Sequence, residues 1–286
     1  MSTTSHRVPT ALPGFTVSTA TADDWRQVTD WAHREGWNPG LRDAECFLVT
    51  DPGGFFVGSL GDRPVAAVSL VNHNDRYAVW GHYLVHPEFR NRGYGRATCR
   101  VARKHAGDRI LASDAMPEQV ENYTRSGLVR AHDTVHYAGT PRRSGANWAV
   151  PFDPGWLDRV VEYDRRSFPG GRPEFLRHWL TAPGHVTFLR VVDGALAGYG
   201  VLRPARGRHR IGPLIADSAA DAEAVFAALV DSLDPGAEVS LFAPGEQGPF
   251  ATSLGLAEEF RVVRMYTKAP DTSADRVYAI GSLELG

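Results

Sequence analysis

YLVHPEFRNRGYGR, residues 83–96, is the most informative stretch of this 286-residue sequence. An apolar segment typical of a strand runs into a glycine-containing loop, and residues 95–106 have the pattern of a helix. Free main-chain amides and the positive end of the helix dipole meet at such a junction, which therefore favours anions. Gly93 and Gly95 let the main chain approach a pyrophosphate closely. The loop also carries three arginines, Arg90, Arg92 and Arg96. The alternative is a tight strand-to-helix connection with its arginines in solvent.

Strands and helices flank this stretch on both sides. Segments rich in β-branched and aromatic residues predict strands over 15–20, 54–60, 64–72, 77–86, 109–112 and 128–138. Helices are predicted from the Thr21 N-cap to Arg34 and over 41–50, 95–106 and 117–125. This order indicates an α/β (α+β) fold with a mixed, mostly antiparallel sheet flanked by helices.

The second half of the chain repeats the layout of the first. GDRPVAAVSL (61–70) parallels DGALAGYGVL (193–202), and YTRSGLV (123–129) parallels ATSLGLA (251–257). Periodic hydrophobic residues alone would give similar matches, so duplication is one of two interpretations. We expect a flexible tail over 1–14, a first domain over 15–140, a linker over 141–153 and a second domain over 154–286.

Composition excludes several classes of protein. A formal charge of −2 argues against a general nucleic-acid binder, and 43% hydrophobic residues predict a sizeable core. The two cysteines, Cys46 and Cys99, form no disulfide framework and lack metal-ligand spacing. No apolar run is long enough for a signal peptide or a membrane span. We therefore expect a cytoplasmic protein with no metal and with neither nucleic acid nor a membrane as a partner.

The string Arg90-Asn91-Arg92-Gly93-Tyr94-Gly95, preceded by His86-Pro87-Glu88, resembles the Q/R-x-x-G-x-G/A motif of the GCN5-related N-acetyltransferase (GNAT) superfamily. The resemblance covers about residues 15–139 and includes the order of strands and helices. It implies that the loop amides hold the pyrophosphate of acetyl-CoA, while the preceding strand pairs with the pantetheine arm. The implied cofactor-binding residues are Tyr83, Leu84, Val85, Arg90, Asn91, Arg92, Gly93, Tyr94, Gly95 and Arg96.

A second motif agrees with this family. Tyr123-Thr124-Arg125-Ser126-Gly127-Leu128 resembles the family's Y-x-x-x-G-F, with leucine in place of phenylalanine. The resemblance implies that Tyr123 is the general acid that protonates the departing thiolate. It also implies that the main-chain amide of Leu84 stabilises the thioester oxygen. The alternative for Tyr123 is a packed aromatic side chain.

The sequence departs from the family at the general base. Met116 stands where many members have an asparagine, and Val79 stands near the position of a glutamate that some members use as base. A base is still required, because an alkylamine with a pKa near 10.4 is almost fully protonated at neutral pH. The candidates are His82, Asp43 and Glu45. Asn38 and Asp43 are candidates for contacting the acceptor substrate.

The whole chain resembles a two-lobed GNAT subgroup whose second lobe is of the YitH/HolE type. Short matches in order carry this resemblance, among them Trp37-Asn38-Pro39-Gly40 and the terminal Leu283-Glu284-Leu285-Gly286. The implied fold is a tandem of GNAT domains. In the second lobe, residues 217–223, which include three carboxylates, replace the glycine loop, and Ala251 aligns with Tyr123. We therefore expect the second lobe to have lost CoA chemistry. Four of its residues are candidates for facing the acceptor cleft: Arg172, Trp179, Arg203 and Tyr266.

These features predict acetyl transfer from acetyl-CoA to a primary amine by direct attack in a ternary complex, without a metal. A small-molecule amine is favoured as the acceptor. A peptide or protein N-acetyltransferase and a non-catalytic acyl-CoA-binding or regulatory module are the alternatives. The second lobe would either wall off the acceptor cleft or form a homodimer.

Overall fold

The computed structural model describes residues 7–145 and 148–286. Its helices are α1 Ala22–Arg34, α2 Asp43–Thr50, α3 Tyr94–Ala106, α4 Val120–Arg125, α5 Leu157–Asp164, α6 Pro173–Trp179, α7 Ala219–Asp231 and α8 Gly248–Ser253. Its strands are β1 Val8–Pro9, β2 Phe15–Thr19, β3 Phe55–Leu60, β4 Arg63–Asn72, β5 Tyr77–Val85, β6 Ile110–Ala115 and β7 Val129–Gly139 in the first half. In the second half they are β8 Ala149–Pro151, β9 Val186–Val192, β10 Ala195–Pro204, β11 His209–Ala216, β12 Val239–Pro244, β13 Ala257–Tyr266 and β14 Val277–Ala279.

Across the described residues, the strands form one sheet in the order β1-β2-β3-β4-β5-β6-β13-β7-β12-β11-β10-β9-β8, with β14 paired to β11. Neighbouring strands are antiparallel except β5 with β6 and β11 with β12, which are parallel. The predicted α/β class with a mixed, mostly antiparallel sheet is confirmed.

The two lobes exchange their last long strands. Strand β13 of the second half lies between β6 and β7 of the first half, and β7 pairs with β12 of the second half. The sheet therefore runs without interruption from one lobe into the other. The expected domain boundary near residue 140 separates the two repeats in the sequence, but strands from its two sides are hydrogen-bonded to each other.

A shared core also joins the lobes. Phe47 of α2 stacks on Phe175 of α6 with ring centroids 5.2 Å apart, and Trp179 lies 5.4 Å from the same ring. All three side chains are fully buried. Each such aromatic contributes a large buried apolar area, so this junction holds the lobes in a fixed relation.

Most predicted elements are observed, with small shifts at their ends. Thr21 caps α1 in a capping box, since its hydroxyl accepts from the Asp24 amide at 3.1 Å and the Asp24 carboxylate accepts from the Thr21 amide at 2.8 Å. Two expectations differ from the structure. Val8–Pro9 of the expected tail pairs with β2, while residues 1–6 lie outside the described residues. Strand β8 lies inside the expected linker and pairs with β9.

Candidate active site

The candidate site begins where β5 and β6 separate, which we call the first fork. The two strands pair only where Tyr77–Val79 lies beside Ile110–Ala112. Beyond this point β5 follows β4, and the Ser113 hydroxyl donates to the Trp80 carbonyl at 2.8 Å. The diverging ends line a cleft of about 1750 Å³. Tyr83, Leu84 and Val85 all line it, which is where the sequence placed the pantetheine arm.

The loop after β5 leads to a helix start that no side chain caps. Gly93, at φ +84°, is the N-cap residue of α3 and supplies no side-chain hydrogen bond. A Cβ at Gly95 would overlap the Tyr83 hydroxyl, so only glycine fits there without a shift. The first-turn amides of a 13-residue helix are therefore available to an anion.

The arginines of the predicted loop have different environments. Arg96 is exposed and lines the cleft. Arg90 holds the loop, because its Nε donates to the Val85 carbonyl at 3.1 Å and its guanidinium pairs with Glu35. Arg92 lies 5.7 Å above the Phe89 ring. The charge of Arg90 is therefore already paired within the loop.

Two arginines of α3 beyond the predicted loop also line the cleft. They are Arg100 and Arg103, neither of which is among the cofactor-binding residues implied by the motif. The Arg103 guanidinium also donates to the Ser126 carbonyl at 2.5 Å. Their spacing from Arg96, four and seven residues, placed them on one helix face and was the available signal.

Tyr123 lies across the fork from β5 and lines the cleft. Its ring centroid is 5.1 Å from that of Trp80, and both side chains pack against the same core. Burial is the main cause that raises the pKa of Tyr123 above the ordinary value, with the nearby Cys99 adding to it. The phenol is therefore protonated at neutral pH and can only donate its proton.

His82 is the base candidate that the structure brings into the cleft. It is buried on β5 at φ +45°, at an irregularity in the register with β4. Trp25 lies edge-on with its ring centroid 5.0 Å from the imidazole. Burial is the largest influence on the pKa of His82 and lowers it. The imidazole is therefore neutral at pH 7 and able to accept a proton.

The other two base candidates do not line the cleft. The Asp43 carboxylate is buried, accepts from Arg203 Nε at 2.8 Å and accepts from the Gly40 amide at 3.0 Å. This ion pair ties α2 to β10, and removing one partner of such a buried pair costs about 3–5 kcal/mol. Glu45 is exposed and pairs with Arg42 at 2.6 Å. Asp43 and Glu45 are therefore withdrawn as base candidates, and Asp43 as a substrate contact.

Asn38 lines the cleft at φ +27°, and its role as a substrate contact stays a prediction. Its side-chain oxygen accepts from the Arg206 amide at 3.0 Å, and its carbonyl accepts from the Arg210 guanidinium at 2.6 Å. Of the four second-lobe candidates, none is among the cleft-lining residues described. Arg172, Trp179 and Arg203 are fully buried in packing and ion pairs, and Tyr266 packs beside Phe168 and Tyr77.

The second lobe forms the opposite wall of the cleft. Arg210 of β11 stacks 4.6 Å above Phe242 of β12, and His136 of β7 lies 4.5 Å from the same ring. Phe260 of the exchanged strand β13 lies 4.8 Å from His136. Leu283 and Glu284, near the end of the chain, complete this side. Leu283 and Glu284 belong to a terminal match of the sequence, but that match does not indicate their position. Only the strand exchange and the return of the chain bring this wall to the first fork.

The second lobe contains an equivalent fork that is filled. Strands β11 and β12 pair only at residues 209–211 and 239–241, and then β14 pairs with β11 and packs beside β12. Helix α7 begins with a capped end, because the Ser218 hydroxyl accepts from the Asp221 amide at 3.2 Å. Ala251, which aligns with Tyr123, is buried in the core. The second fork thus differs from the first, and the loss of CoA chemistry in this lobe stays a prediction.

Comparisons with known proteins identify the family. A model described as "Acetyltransferase (GNAT) family" matches residues 22–123, and one described as "Acetyltransferase (GNAT) domain" matches residues 160–279. The chain is 33% identical over 279 residues to "Holothin acyltransferase" of Pseudoalteromonas sp. (strain SANK 73390), covering 95% of each protein.

Solved structures share the fold. A protein from Pyrococcus horikoshii assigned as an acetyltransferase superposes with a TM-score of 0.80 at 22% identity, covering 98% of this chain and 99% of that one. A tandem GNAT protein from the clavulanic acid biosynthesis pathway gives a TM-score of 0.60 at 18% identity, covering 90% and 100%. The chain belongs to the GNAT family of acyl-CoA-dependent transferases, as a tandem member with two GNAT lobes.

Metal-ligand clusters and membrane-spanning helices were searched for in the described residues. Among residues 7–145 and 148–286, we find no group of three or more histidine, cysteine, aspartate or glutamate side chains placed to hold a metal ion. Within the same ranges, every helix is too short or too polar to cross a bilayer.

Proposed function

We propose that this protein transfers an acetyl group from acetyl-CoA to a primary amine on a small molecule. One observation carries the proposal: the first fork opens onto the uncapped start of α3, with Tyr123 on the facing side. Acetyl-CoA supplies the activated acyl group when it is bound. The cradle fits a pyrophosphate, since glycine at positions 93 and 95 leaves room above the helix amides and Arg96 faces the same cleft.

The residues of the fork have distinct roles in this proposal. The amides at the start of α3 and Arg96 bind the pyrophosphate. Tyr83, Leu84 and Val85 hold the pantetheine arm, and the Leu84 amide donates to the thioester oxygen. His82 accepts the proton of the incoming amine, and Tyr123 protonates the departing sulfur. A neutral imidazole and a protonated phenol are the forms that these two steps need.

Direct attack is favoured over an acyl-enzyme. Cys99 is a thiol that lines the cleft, and burial raises its pKa well above the ordinary value. A thiol is a poor nucleophile, because the thiolate is the reactive form. A cleft of about 1750 Å³ exceeds the roughly 300–1,000 Å³ of a typical small-ligand site, which supports simultaneous binding of donor and acceptor.

The walls of the cleft favour a small acceptor over a protein segment. The second lobe covers the face opposite β5, so the acceptor side is bounded by both lobes. The relative that is 33% identical is named for acyl transfer to holothin, which makes holothin the first acceptor to test. Peptides with a free amine test the alternative of a protein acetyltransferase.

Isothermal titration with acetyl-CoA is the first experiment. We expect saturable binding of one acetyl-CoA per chain, because the second fork is filled and its helix is capped. A panel of amines then separates an enzyme from a non-catalytic acyl-CoA-binding module, since only the enzyme releases CoA in an amine-dependent manner. No detectable binding would overturn the proposal. A homodimer through the second lobe is a separate proposal, tested by the mass of the protein in solution.

A further inference from the structure

The last seven described residues, 280–286, pass from the second fork to the first, and we call them the C-terminal segment. It follows β14 and is anchored where the Ile280 amide donates to the Phe242 carbonyl at 2.9 Å. Its far end is held because His73 Nε2 donates to the Leu285 carbonyl at 2.7 Å and Arg172 donates to the Gly286 oxygen at 3.1 Å. All of these seven residues except Ile280 and Leu283 are buried. The segment is therefore a fixed part of the interior.

The segment touches β5 beside the candidate base. A Cβ at Gly81 would overlap the main chain of Glu284, so β5 and the C-terminal segment approach each other as closely as glycine allows. The fully buried hydroxyl of Ser69 on β4 donates to the Glu284 carbonyl at 3.4 Å. The same hydroxyl lies 3.1 Å from His82 Nδ1. Ser69 thus connects the C-terminal segment to His82.

This connection determines which imidazole nitrogen carries the proton. A Ser69 hydroxyl that donates to the Glu284 carbonyl turns an oxygen lone pair toward His82 Nδ1. In that arrangement Nδ1 carries the hydrogen and Nε2 keeps its lone pair. Within the described residues, Nε2 has no hydrogen-bond partner, and His82 lines the cleft. The free lone pair is therefore available to a ligand in the cleft.

The Glu284 carboxylate provides a negative charge near the imidazole. Burial by itself would raise the pKa of Glu284, but Arg210, His82 and the hydrogen bonds from Ser282 and the main chain together lower it, so the group is ionised. The other charged group that acts on His82 is Asp43 of α2, which Arg203 pairs. From α1 and the turn after it, the uncharged rings of Trp25 and Trp37 pack against His82. Glu284 is therefore the carboxylate best placed to stabilise an imidazolium.

We propose that Ser69 and Glu284 are positioning residues that hold His82 as an Nδ1–H imidazole and stabilise its protonated form. In the step concerned, the N–H bond of the acceptor ammonium breaks and its proton joins His82 Nε2. The amine keeps the electron pair that attacks the acetyl group, and the proton later passes to solvent. The catalytic consequence rests on the proposed function, whereas the protonation state of His82 does not. The second lobe thereby contributes to the chemistry of the first.

The first test is nitrogen-15 NMR of the histidine side chains in the full-length protein, with a His82→Gln variant to assign the signal. We expect Nδ1–H for His82 in the parent, and a mixture or Nε2–H in Ser69→Ala. Glu284→Gln should lower the pKa of His82 by about one unit, because the imidazolium loses its nearby carboxylate. An Nε2–H imidazole in the parent, or an unchanged pKa in Glu284→Gln, would overturn the proposal.

The second test is the pH dependence of kcat with an accepted amine. In Glu284→Gln the acidic limb should move to lower pH, together with a fall in kcat of about tenfold and little change in the KM for acetyl-CoA. Glu284→Asp should restore part of the shift. Asp51→Asn removes a carboxylate 2.7 Å from a different histidine, His105, and should move neither property. A loss of kcat without movement of the limb would mean a merely structural role. If no amine is acetylated, the proposed function fails while the NMR result still decides the state of His82.

Discussion

The two forks of this protein share a scaffold and differ in what occupies them. In the first lobe β5 and β6 part after three paired residues, and the space between their ends is the cleft. In the second lobe β11 and β12 also part after three paired residues, but β14 fills the space. The helix that follows is uncapped in the first lobe and capped by Ser218 in the second. Two copies of the same scaffold therefore present an open cleft in one lobe and a filled space in the other.

The two forks are connected by one stretch of chain. The strand that fills the second fork continues into the C-terminal segment, which passes beside His82 of the first fork. The second lobe also supplies the Arg210 and Phe242 wall of the cleft. The filling of one fork and the lining of the other thus involve the same lobe.

The largest effect should come from closing the first cradle. Gly95→Glu places a side chain against the Tyr83 hydroxyl and a negative charge at the pyrophosphate position. We expect acetyl-CoA affinity to fall by about a hundredfold or more, measured by isothermal titration. Ala220→Glu is the matched control, because Ala220 is the second residue of α7 as Gly95 is of α3. Retained affinity in Gly95→Glu would mean that the cradle is misassigned.

The next effect concerns Tyr123, which aligns with Ala251 in the second lobe. Tyr123→Phe should lower kcat by roughly 10²-fold while acetyl-CoA still binds, since a general acid contributes on this scale. Steady-state kinetics with an accepted amine measure it. Tyr278→Phe changes a buried tyrosine of the second lobe outside the described cleft lining and should leave kcat unchanged. An unchanged kcat in Tyr123→Phe removes this residue from the mechanism.

The anchor of the C-terminal segment should make folding sensitive to acid. Burial is the main cause that lowers the pKa of His73 to about 4, with Arg172 adding to it. Between the ordinary value near 6.5 and about 4, the unfolded chain binds a proton that the folded protein does not. Stability is therefore lost as the pH falls through this window, by at most about 3 kcal/mol from this residue.

Urea unfolding at several pH values measures this dependence. His73→Gln keeps an amide donor for the Leu285 carbonyl but cannot titrate, so its stability should fall less between pH 7 and pH 4. Equal pH dependence in the parent and the variant would contradict the assignment. His136, whose pKa burial also lowers to about 4, contributes in both proteins.

The smallest effect should come from the capped helix of the second lobe. Ser218→Ala removes the side chain that accepts from the Asp221 amide, and loss of such a cap costs about 1 kcal/mol. Acetyl-CoA stoichiometry should stay at one per chain, because β14 still fills the second fork. Appearance of a second binding event would show that the cap, and not the filling strand, excludes the cofactor.

Local chemistry explains what could be predicted from the sequence. The strand, glycine loop and helix of residues 83–96 have short-range signals, since turn residues and hydrophobic periodicity act within a few positions. The same holds for the Thr21 capping box and for the acidic residues at the start of α7. The family, the α/β class and the position of Tyr123 followed from such signals.

Residue type alone could not assign roles to candidates whose surroundings are formed by residues distant in the chain. Asp43 could not be recognised as the partner of Arg203, because the two lie 160 positions apart in the chain. Arg100 and Arg103 lie outside the cofactor motif, and only the fold shows that their face of α3 lines the cleft. Choosing His82 among three base candidates required knowing which side chain is buried beside the cleft.

The sequence by itself determined that two GNAT-like lobes follow each other and that only the first carries the cofactor motif. Tertiary structure decided the exchange of β7 and β13, the filling of the second fork by β14, and the meeting of Glu284, Ser69 and His82. The physical reason is one of range. Caps, turns and periodicity depend on neighbours in the chain. Strand pairing across the lobes joins residues 100 or more positions apart, and Glu284 lies more than 200 positions from Ser69 and His82.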